Sequence, residues 1–312
     1  MDIIYVALKT TFPLLFIMSI GYIAKIFKVL KKQEVNSINK LVYWVLLPIL
    51  LFCNVYQPEL YTLKNTRLLL FSIAATTIVI ICAFIIVPLL IKDRSKVGVV
   101  IQGVIRGNIL YFGVPVISSL LGETYIGLIS IVIVGLVPIY NIVSVIALEK
   151  YSSKKVNLKT TVIKIAKNPL IISAVLGMSA VFLKIEMPIL IMDSLKTIAR
   201  STTAIALILL GAAIELSFTK ENLKIVIITA FTKLVIIPVI VLIIAPLIGL
   251  TKFEIITVFA VFAAPTAVAS YSLAREMNAD YDLAGQIVFL STIASVITIF
   301  LGTILLQWFH IL

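Results

Sequence analysis

An apolar stretch of the chain, residues 103–115, contains side chains suited to binding chemistry. It reads Gly-Val-Ile-Arg-Gly-Asn-Ile-Leu-Tyr-Phe-Gly-Val-Pro, which places Arg106 and Asn108 among apolar neighbours. Proline removes one backbone donor and clashes with the preceding turn, while glycine adds backbone freedom. The pattern predicts a helix that breaks at a binding site. The alternative is an ordinary kink whose first two glycines form a helix-packing face.

A second stretch, residues 263–270, has a related character. It reads Ala-Ala-Pro-Thr-Ala-Val-Ala-Ser, with Pro265 and Thr266 near its centre. Such small residues let another backbone approach closely. The N-terminus of a half-helix offers free N–H groups and a positive dipole end, so two of them meeting near the membrane midplane would attract a carboxylate. Asn108 would add a neutral hydrogen-bond donor to such a site without burying a charge.

Several other polar side chains lie in or near apolar segments, and the sequence leaves their roles open. Asn141 either hydrogen-bonds between helices or lines the site, whereas Asn54 is interpreted as interfacial. Ionisable groups inside a membrane are costly and rare. Arg106, two residues before Asn108, is a candidate for drawing an anion inward. Lys233 either faces the site or pairs with backbone carbonyls.

Acidic side chains are missing from the predicted middle of the membrane, and the only histidine is His310, near the C-terminus. Proton relays usually use buried carboxylates or histidines, so coupling through a dedicated side chain is disfavoured. Coupling to H⁺ through a protonated substrate, coupling to Na⁺ bound by backbone carbonyls, and uncoupled transport stay open. No cofactor and no resident metal is expected.

These segments are predicted to lie in membrane helices. Hydrophobic residues make up 62% of the 312 residues and charged residues 13%, against about 45–50% and about 25% in soluble domains. A membrane-spanning helix takes roughly 20 apolar residues. The composition therefore predicts an all-α integral membrane protein with ten transmembrane helices. The predicted spans are at about 5–27, 38–56, 67–91, 97–121, 126–148, 168–184, 190–217, 222–249, 253–274 and 282–308.

The net charge of +12 does not indicate nucleic-acid binding, because the Lys and Arg residues are concentrated in short turns between apolar segments. The turns after spans 1, 3, 5, 7 and 9 hold most of them, and basic loops stay in the cytoplasm. We therefore expect a multi-pass protein of the cell membrane with both termini outside the cytoplasm. The longest loop, 149–167, is expected inside it.

The chain divides at that loop into two halves of five spans each. The predicted units are an N-terminal repeat 1–148, a cytoplasmic linker 149–167 and a C-terminal repeat 168–312. Because five is odd, the halves would have opposite orientations in the membrane, as in inverted-repeat carriers. Two proline pairs support the repeat, since Pro88 and Pro238 are separated by the same interval as Pro115 and Pro265.

Taken in order, these motifs resemble the auxin efflux carrier family, which includes plant PIN carriers and bacterial malonate and malate permeases. The resemblance covers essentially the whole chain, and no single motif carries it alone. The short linker is closer to the bacterial carriers, because plant carriers often have a long hydrophilic loop there. The matching stretches are Leu47-Pro48, Asn108 to Pro115 followed by Leu121-Gly122-Glu123, Pro138 to Asn141, Lys167-Asn168-Pro169, Lys233 to Pro238, and Ala264 to Asp280.

The resemblance implies two inverted five-helix repeats, as in bile-acid symporters and NhaA-type antiporters, and an elevator-type alternating-access mechanism. It implies that broken helices 4 and 9 cross at Pro115 and Pro265 beside the substrate, and that Asn108 contacts the substrate. The candidate substrate-binding residues are Pro48, Asn108, Tyr111, Gly113, Pro115, Asn141, Pro265 and Thr266, with Arg106 and Lys233 as electrostatic candidates.

The sequence therefore predicts a secondary transporter of small organic anions, namely carboxylates such as malonate, malate or auxin-like acids, and not an enzyme. A Na⁺-coupled carrier of the bile-acid-symporter type is the alternative, followed by a channel or a membrane protein without a transport function. The expected partners are a small carboxylate and the lipid bilayer, without nucleic acid. A homodimer is left open.

Overall fold

The computed structural model describes residues 3–56, 66–151, 166–213 and 220–312, and these residues are helical almost throughout. Most of the predicted linker and the predicted end of span 7 lie outside the described residues. The α-helices, in chain order, are α1 (Ile3–Ile26), α2 (Lys32–Leu41), α3 (Leu47–Val55), α4 (Thr66–Leu90), α5 (Arg94–Ile105), α6 (Val114–Leu121), α7 (Ile126–Lys150), α8 (Pro169–Phe182), α9 (Ile189–Ala213), α10 (Lys220–Phe231), α11 (Ile237–Leu247), α12 (Lys252–Phe262), α13 (Ala269–Glu276) and α14 (Tyr281–Trp308).

Six of the described helical segments are long and apolar enough to cross a membrane by length and composition. They are Lys32–Val55, Thr66–Leu90, Glu123–Lys150, Ile189–Ala213, Glu221–Leu247 and Tyr281–Trp308. Large apolar side chains point outward from them, since Leu89, Leu190 and Leu247 are 78%, 84% and 80% exposed. Apolar surface of this extent is unfavourable in water and favourable in lipid. The chain is therefore a multi-pass integral membrane protein, as its composition predicted.

Three wide π turns occur in the described helices, and each lies just before a proline. Proline cannot donate a backbone hydrogen bond and its ring clashes with the preceding turn, and a wider turn relieves that clash. These prolines therefore shape their helices without breaking them. The pairs are Val42–Leu46 with Pro48, Ile109–Gly113 with Pro115, and Thr232–Ile236 with Pro238.

The turns that the sequence predicts on the cytoplasmic side contact one another. The start of α5 contacts the end of α7 and the start of α10, and α2 contacts the end of α13. The contacts are Arg94 Nη2 to Lys150 O at 3.0 Å, Lys96 Nζ to Glu221 Oε1 at 3.0 Å, and Arg275 Nε to Asn36 Oδ1 at 2.9 Å.

The turns predicted on the opposite side also meet one another. The end of α3 contacts the turn after α8, the start of α4 contacts the turn after α11, and the turn before α7 stacks on α12. The contacts are Tyr56 OH to Ile185 O at 2.7 Å, Arg67 Nη1 to Gly249 O at 3.0 Å, and the rings of Tyr125 and Phe253 with centroids 4.5 Å apart. Each of these six contacts therefore joins segments that the sequence predicts on the same side of the membrane.

The core surrounds two short helices, α5 and α12. Residues 97–105 of α5 and 254–262 of α12 are all buried, so protein covers every face of both helices. Backbone that leaves a helix at membrane depth is tolerated only where protein or a wet cavity satisfies its polar groups. Burial of α5 and α12 therefore provides the surroundings that the two breaks following them require.

Candidate binding site at the crossing of two broken helices

The first break lies between α5 and the π turn Ile109–Gly113. Arg106 is extended, with φ −90° and ψ 95°, and Asn108 is also outside the helical region, with φ −82° and ψ 58°. The sequence predicted a break in this segment, and the structure places it at residues 106–108. The continuing helix begins at Ile109, so the N–H groups of its first turn face the break.

The two breaks pair with each other as a short antiparallel ladder. Asn108 N donates to Pro265 O over 2.8 Å, and Ala267 N donates to Arg106 O over 2.9 Å. Pro265 thus lies at the crossing, as the resemblance implied. Pro115 does not, because it follows the π turn and begins the next helix. The expected crossing at Pro115 is therefore corrected to the segment 106–108.

The second break, residues 263–268, has polar groups that are satisfied by neighbouring protein atoms. The Thr266 hydroxyl donates to Gly103 O over 2.8 Å, which satisfies a carbonyl in the last turn of α5. Thr266 N donates to the Ser291 hydroxyl over 3.2 Å. Thr266 is 1% exposed. It therefore connects the two broken helices and α14, and its position is structural in this conformation.

Lys233 lies behind the crossing. It belongs to the π turn Thr232–Ile236 and is buried. A Cβ added to Gly107 would lie 3.3 Å from Lys233 Nζ and 3.4 Å from Val261 O. Glycine at this position therefore allows the backbones and the lysine to approach closely. No carboxylate within the described ranges lies within ion-pairing distance of Lys233.

A cavity of about 680 Å³, including its opening, lies on the other side of the crossing. Four of the predicted residues line it, namely Arg106, Asn108, Tyr111 and Asn141. The predicted residues that do not line it are Pro48, Gly113, Pro115, Pro265, Thr266 and Lys233. Ile109 and Ala269, the first residues of the two half-helices after the breaks, both line the cavity. The N-termini of both half-helices therefore border the cavity.

The cavity also includes polar residues that the sequence interpretation missed. Asn54, which was interpreted as interfacial, lines it and is half-buried. Thr202 and Thr203 of α9 line the opposite wall. Two adjacent threonines inside an apolar helix are recognisable in the sequence, but the direction in which their side chains point depends on how α9 packs. Most of the remaining wall is apolar, including Leu47, Leu50, Leu51, Val137 and Leu170.

Two buried donors at the cavity have no acceptor among the described residues. Arg106 Nη2 donates to Asn141 Oδ1 over 2.6 Å, and Asn141 Nδ2 donates to Val137 O over 2.8 Å. Arg106 Nη1 and Asn108 Nδ2 lack partners, although the two residues are only 5% and 6% exposed. An unsatisfied buried donor costs about 1–3 kcal/mol, and more when it is charged. The arrangement therefore favours an anionic acceptor in the cavity.

The charges around Arg106 also favour an anionic ligand. In the part of the chain that the structure describes, no carboxylate pairs with Arg106, and no group of three or more His, Cys, Asp or Glu is placed to hold a metal ion. The helix N-termini at Ile109 and Ala269 add positive dipole ends to the same cavity. The cavity can thus bind a small anion whose remaining part is apolar.

Comparison with known proteins identifies the class of protein to which this chain belongs. Residues 6–302 match the family of membrane transport proteins, and the chain belongs to this family. The resemblance to auxin efflux carriers is thereby confirmed, and the protein is a transporter and not an enzyme. It is 23% identical over 305 residues to an uncharacterized transporter of Methanocaldococcus jannaschii, with 94% of this chain and 97% of the relative covered.

Proposed function

We propose that the protein is a secondary carrier of small organic anions and that its substrate is a carboxylate bound in the cavity at the crossing. One observation carries this proposal: Arg106 Nη1 and Asn108 Nδ2 are buried at the cavity and find no acceptor within the described ranges of the chain. A carboxylate has two oxygens that accept such donors, and charge-assisted hydrogen bonds are the stronger ones. The apolar wall suits a short hydrocarbon or aromatic body, so malonate, malate and auxin-like acids are the first compounds to test.

The mechanism proposed for this carrier is elevator-type alternating access by two inverted repeats of five helices, with the boundary at the 149–167 linker. The contacts among the turns support ten spans, because each joins turns that the sequence predicts on the same side. A cell-membrane location with both termini outside the cytoplasm follows from the basic turns. A homodimer stays a prediction.

Transport by the purified protein in proteoliposomes tests the substrate site. We expect uptake of a labelled carboxylate by the wild type and a large loss in Asn108→Ala. Asn39→Ala is the matched control, because Asn39 is also a buried asparagine but does not line the cavity. Wild-type transport by Asn108→Ala would contradict the proposed site. An equal loss in both variants would assign the effect to folding and would also contradict it.

The coupling ion is tested with the same vesicles. Uptake is compared with an inward Na⁺ gradient, with an inward H⁺ gradient and with neither. Uptake that requires Na⁺ would favour the alternative, a carrier of the bile-acid-symporter type. Uptake that follows only the membrane potential and the carboxylate gradient would favour uncoupled transport of the anion.

A further inference from the structure

A second cavity, about 700 Å³ including its opening, shares no lining residue with the cavity at the crossing and has basic walls. It is formed by the turn between α1 and α2, the end of α9 and the turn between α13 and α14. Asp282 is the only carboxylate among the described residues that line it. The basic residues, which we call the basic cluster, are Lys25, Lys28, Lys31, Lys32 and Arg275.

Arg275 is fixed in this cluster by neutral partners. Its Nε donates to Asn36 Oδ1 over 2.9 Å, and its Nη1 donates to the Tyr271 hydroxyl. The guanidinium carbon lies 4.7 Å from the centre of the Tyr281 ring. None of these groups carries a negative charge that would neutralise the arginine. Arg275 therefore gives the cavity a preorganised positive wall.

The lysines leave a large excess of positive charge. Lys28, Lys31 and Lys32 are exposed, and no ion pair recorded for the described residues includes any of them. Asp282 can neutralise at most one of the five cations. Like charges held together repel one another unless anions occupy the space between them. The basic cluster therefore favours a ligand with concentrated negative charge.

The apolar surface beside the basic cluster indicates where that ligand comes from. α1 exposes Ile20 and Ile23, and Phe27, which follows the last residue of α1, is 74% exposed. In a membrane protein such side chains contact lipid tails, and Lys25 and Lys28 lie next to them in the chain. The basic cluster is thus placed where the lipid-facing surface ends. Basic pockets between helices on the cytoplasmic side are suited to acidic lipid headgroups.

We propose that the basic cluster binds the phosphate of an acidic phospholipid, whose acyl chains lie against the exposed face of α1. A role in membrane orientation alone needs lysines in the turn, but it does not need them around a cavity completed by a fixed arginine from α13, which is distant in the chain. The bound headgroup would join the α1–α2 turn to the end of α13. This site is separate from the transported anion and does not depend on the proposed substrate.

Native mass spectrometry of the full chain, released from detergent with defined lipids, tests the proposal. We expect phosphatidylglycerol to bind the wild type at least about tenfold more tightly than phosphatidylcholine, and added salt to weaken this preference. The triple variant Lys28→Gln/Lys31→Gln/Lys32→Gln should lose the preference. The matched control, Lys184→Gln/Lys196→Gln/Lys252→Gln, removes the same charge from exposed sites away from the basic cluster and should keep it.

Three results would overturn the proposal. The first is equal binding of the acidic and zwitterionic lipids by the wild type. The second is an equal loss of preference in the two triple variants, which would indicate a nonspecific effect of net charge. The third comes from a thermal-shift arm without acidic lipid: if pyrophosphate alone raises the melting temperature as much as phosphatidylglycerol does, and only in proteins that keep the basic cluster, the ligand is a soluble phosphate compound.

Discussion

The first broken helix carries Arg106 and Asn108 at its break, whereas the second carries alanines, a proline and Thr266. Their backbones form the same short ladder, so in hydrogen-bonding pattern the two breaks are partners. Their side chains differ in what they leave unsatisfied. Both buried donors without acceptors at the cavity belong to the first break, while Thr266 in the second donates to Gly103.

This difference indicates a division of roles. The first break provides recognition, because a missing acceptor is a place for a ligand. The second break provides space and support, since small residues let the first backbone approach and Thr266 satisfies a carbonyl that the broken α5 leaves without its helical donor. The distinction predicts that substitutions in the first break change ligand affinity and that substitutions in the second change stability. The following experiments test that separation.

The largest effect is expected for Arg106→Met. Hydrogen bonds to charged groups contribute about 1.5–3 kcal/mol, so the dissociation constant of a carboxylate should rise about tenfold to a hundredfold. Isothermal titration calorimetry or thermal shift with a transported carboxylate measures this change. Arg200→Met is the control, because Arg200 is exposed on α9 and does not line the cavity. Unchanged carboxylate affinity in Arg106→Met would contradict the proposed role of the first break in ligand recognition.

A smaller effect, on stability instead of affinity, is expected for Thr266→Val. The change keeps the shape and leaves Gly103 O without its partner, which should cost about 1–2 kcal/mol in the free energy of unfolding. Thr257→Val is the matched control. Thr257 is equally buried, but its hydroxyl donates to Phe253 O within α12. That carbonyl also accepts a backbone N–H of the helix, so it keeps a partner when the hydroxyl is removed. A change in carboxylate affinity with normal stability would show that the second break also takes part in recognition.

Gly107→Ala tests the close contact behind the crossing. The new Cβ would lie 3.3 Å from Lys233 Nζ, and the overpacking should cost about 1 kcal/mol. The crowded atom is the end of the flexible Lys233 side chain. The loss of stability caused by Gly107→Ala should therefore differ between the wild-type and Lys233→Met backgrounds. Thermal unfolding of the four proteins in the cycle measures the coupling. Additive effects would mean that the lysine amine is not in contact with the ladder.

The smallest effects are expected at the starts of the two short helices. The Asp93 side chain accepts from Ser95 N at the start of α5, and Thr251 accepts from Glu254 N at the start of α12. Replacing either cap by alanine should cost about 0.5–1 kcal/mol. Similar losses in the melting temperatures of both variants would confirm that these helices begin in comparable ways.

The contribution of the Asp93 cap should depend on acid. The hydrogen bond from the Ser95 hydroxyl holds the pKa of the Asp93 carboxyl below its ordinary value. A depressed pKa means that the carboxylate stabilises the fold above the ordinary carboxyl pKa and that this contribution is lost as the pH falls through the folded-state value. The difference in melting temperature between wild type and Asp93→Ala should therefore shrink in acid. A constant difference would contradict this assignment.

The sequence indicated the cavity only in part, for a reason visible in particular residues. Asn108 and Arg106 were recognisable because polar groups between glycines in an apolar segment are unusual. Asn54 was interpreted as interfacial, and Thr202 and Thr203 were not assigned, because their helices had to be packed against the broken helix before the direction of their side chains was known. Pro115 was assigned to the crossing on the family resemblance, yet it follows a π turn that accommodates it within a helix.

Composition and pattern by themselves determined that this is an all-helical membrane protein and where two of its helices would break, because lipid requires long apolar segments and satisfied backbone groups. Tertiary structure decided the register of the ladder, which pairs Gly107 with Thr266. It also decided that Arg106 faces the cavity and that Lys233 lies behind the crossing. Those outcomes depend on contacts between segments far apart in the chain, which no local pattern specifies.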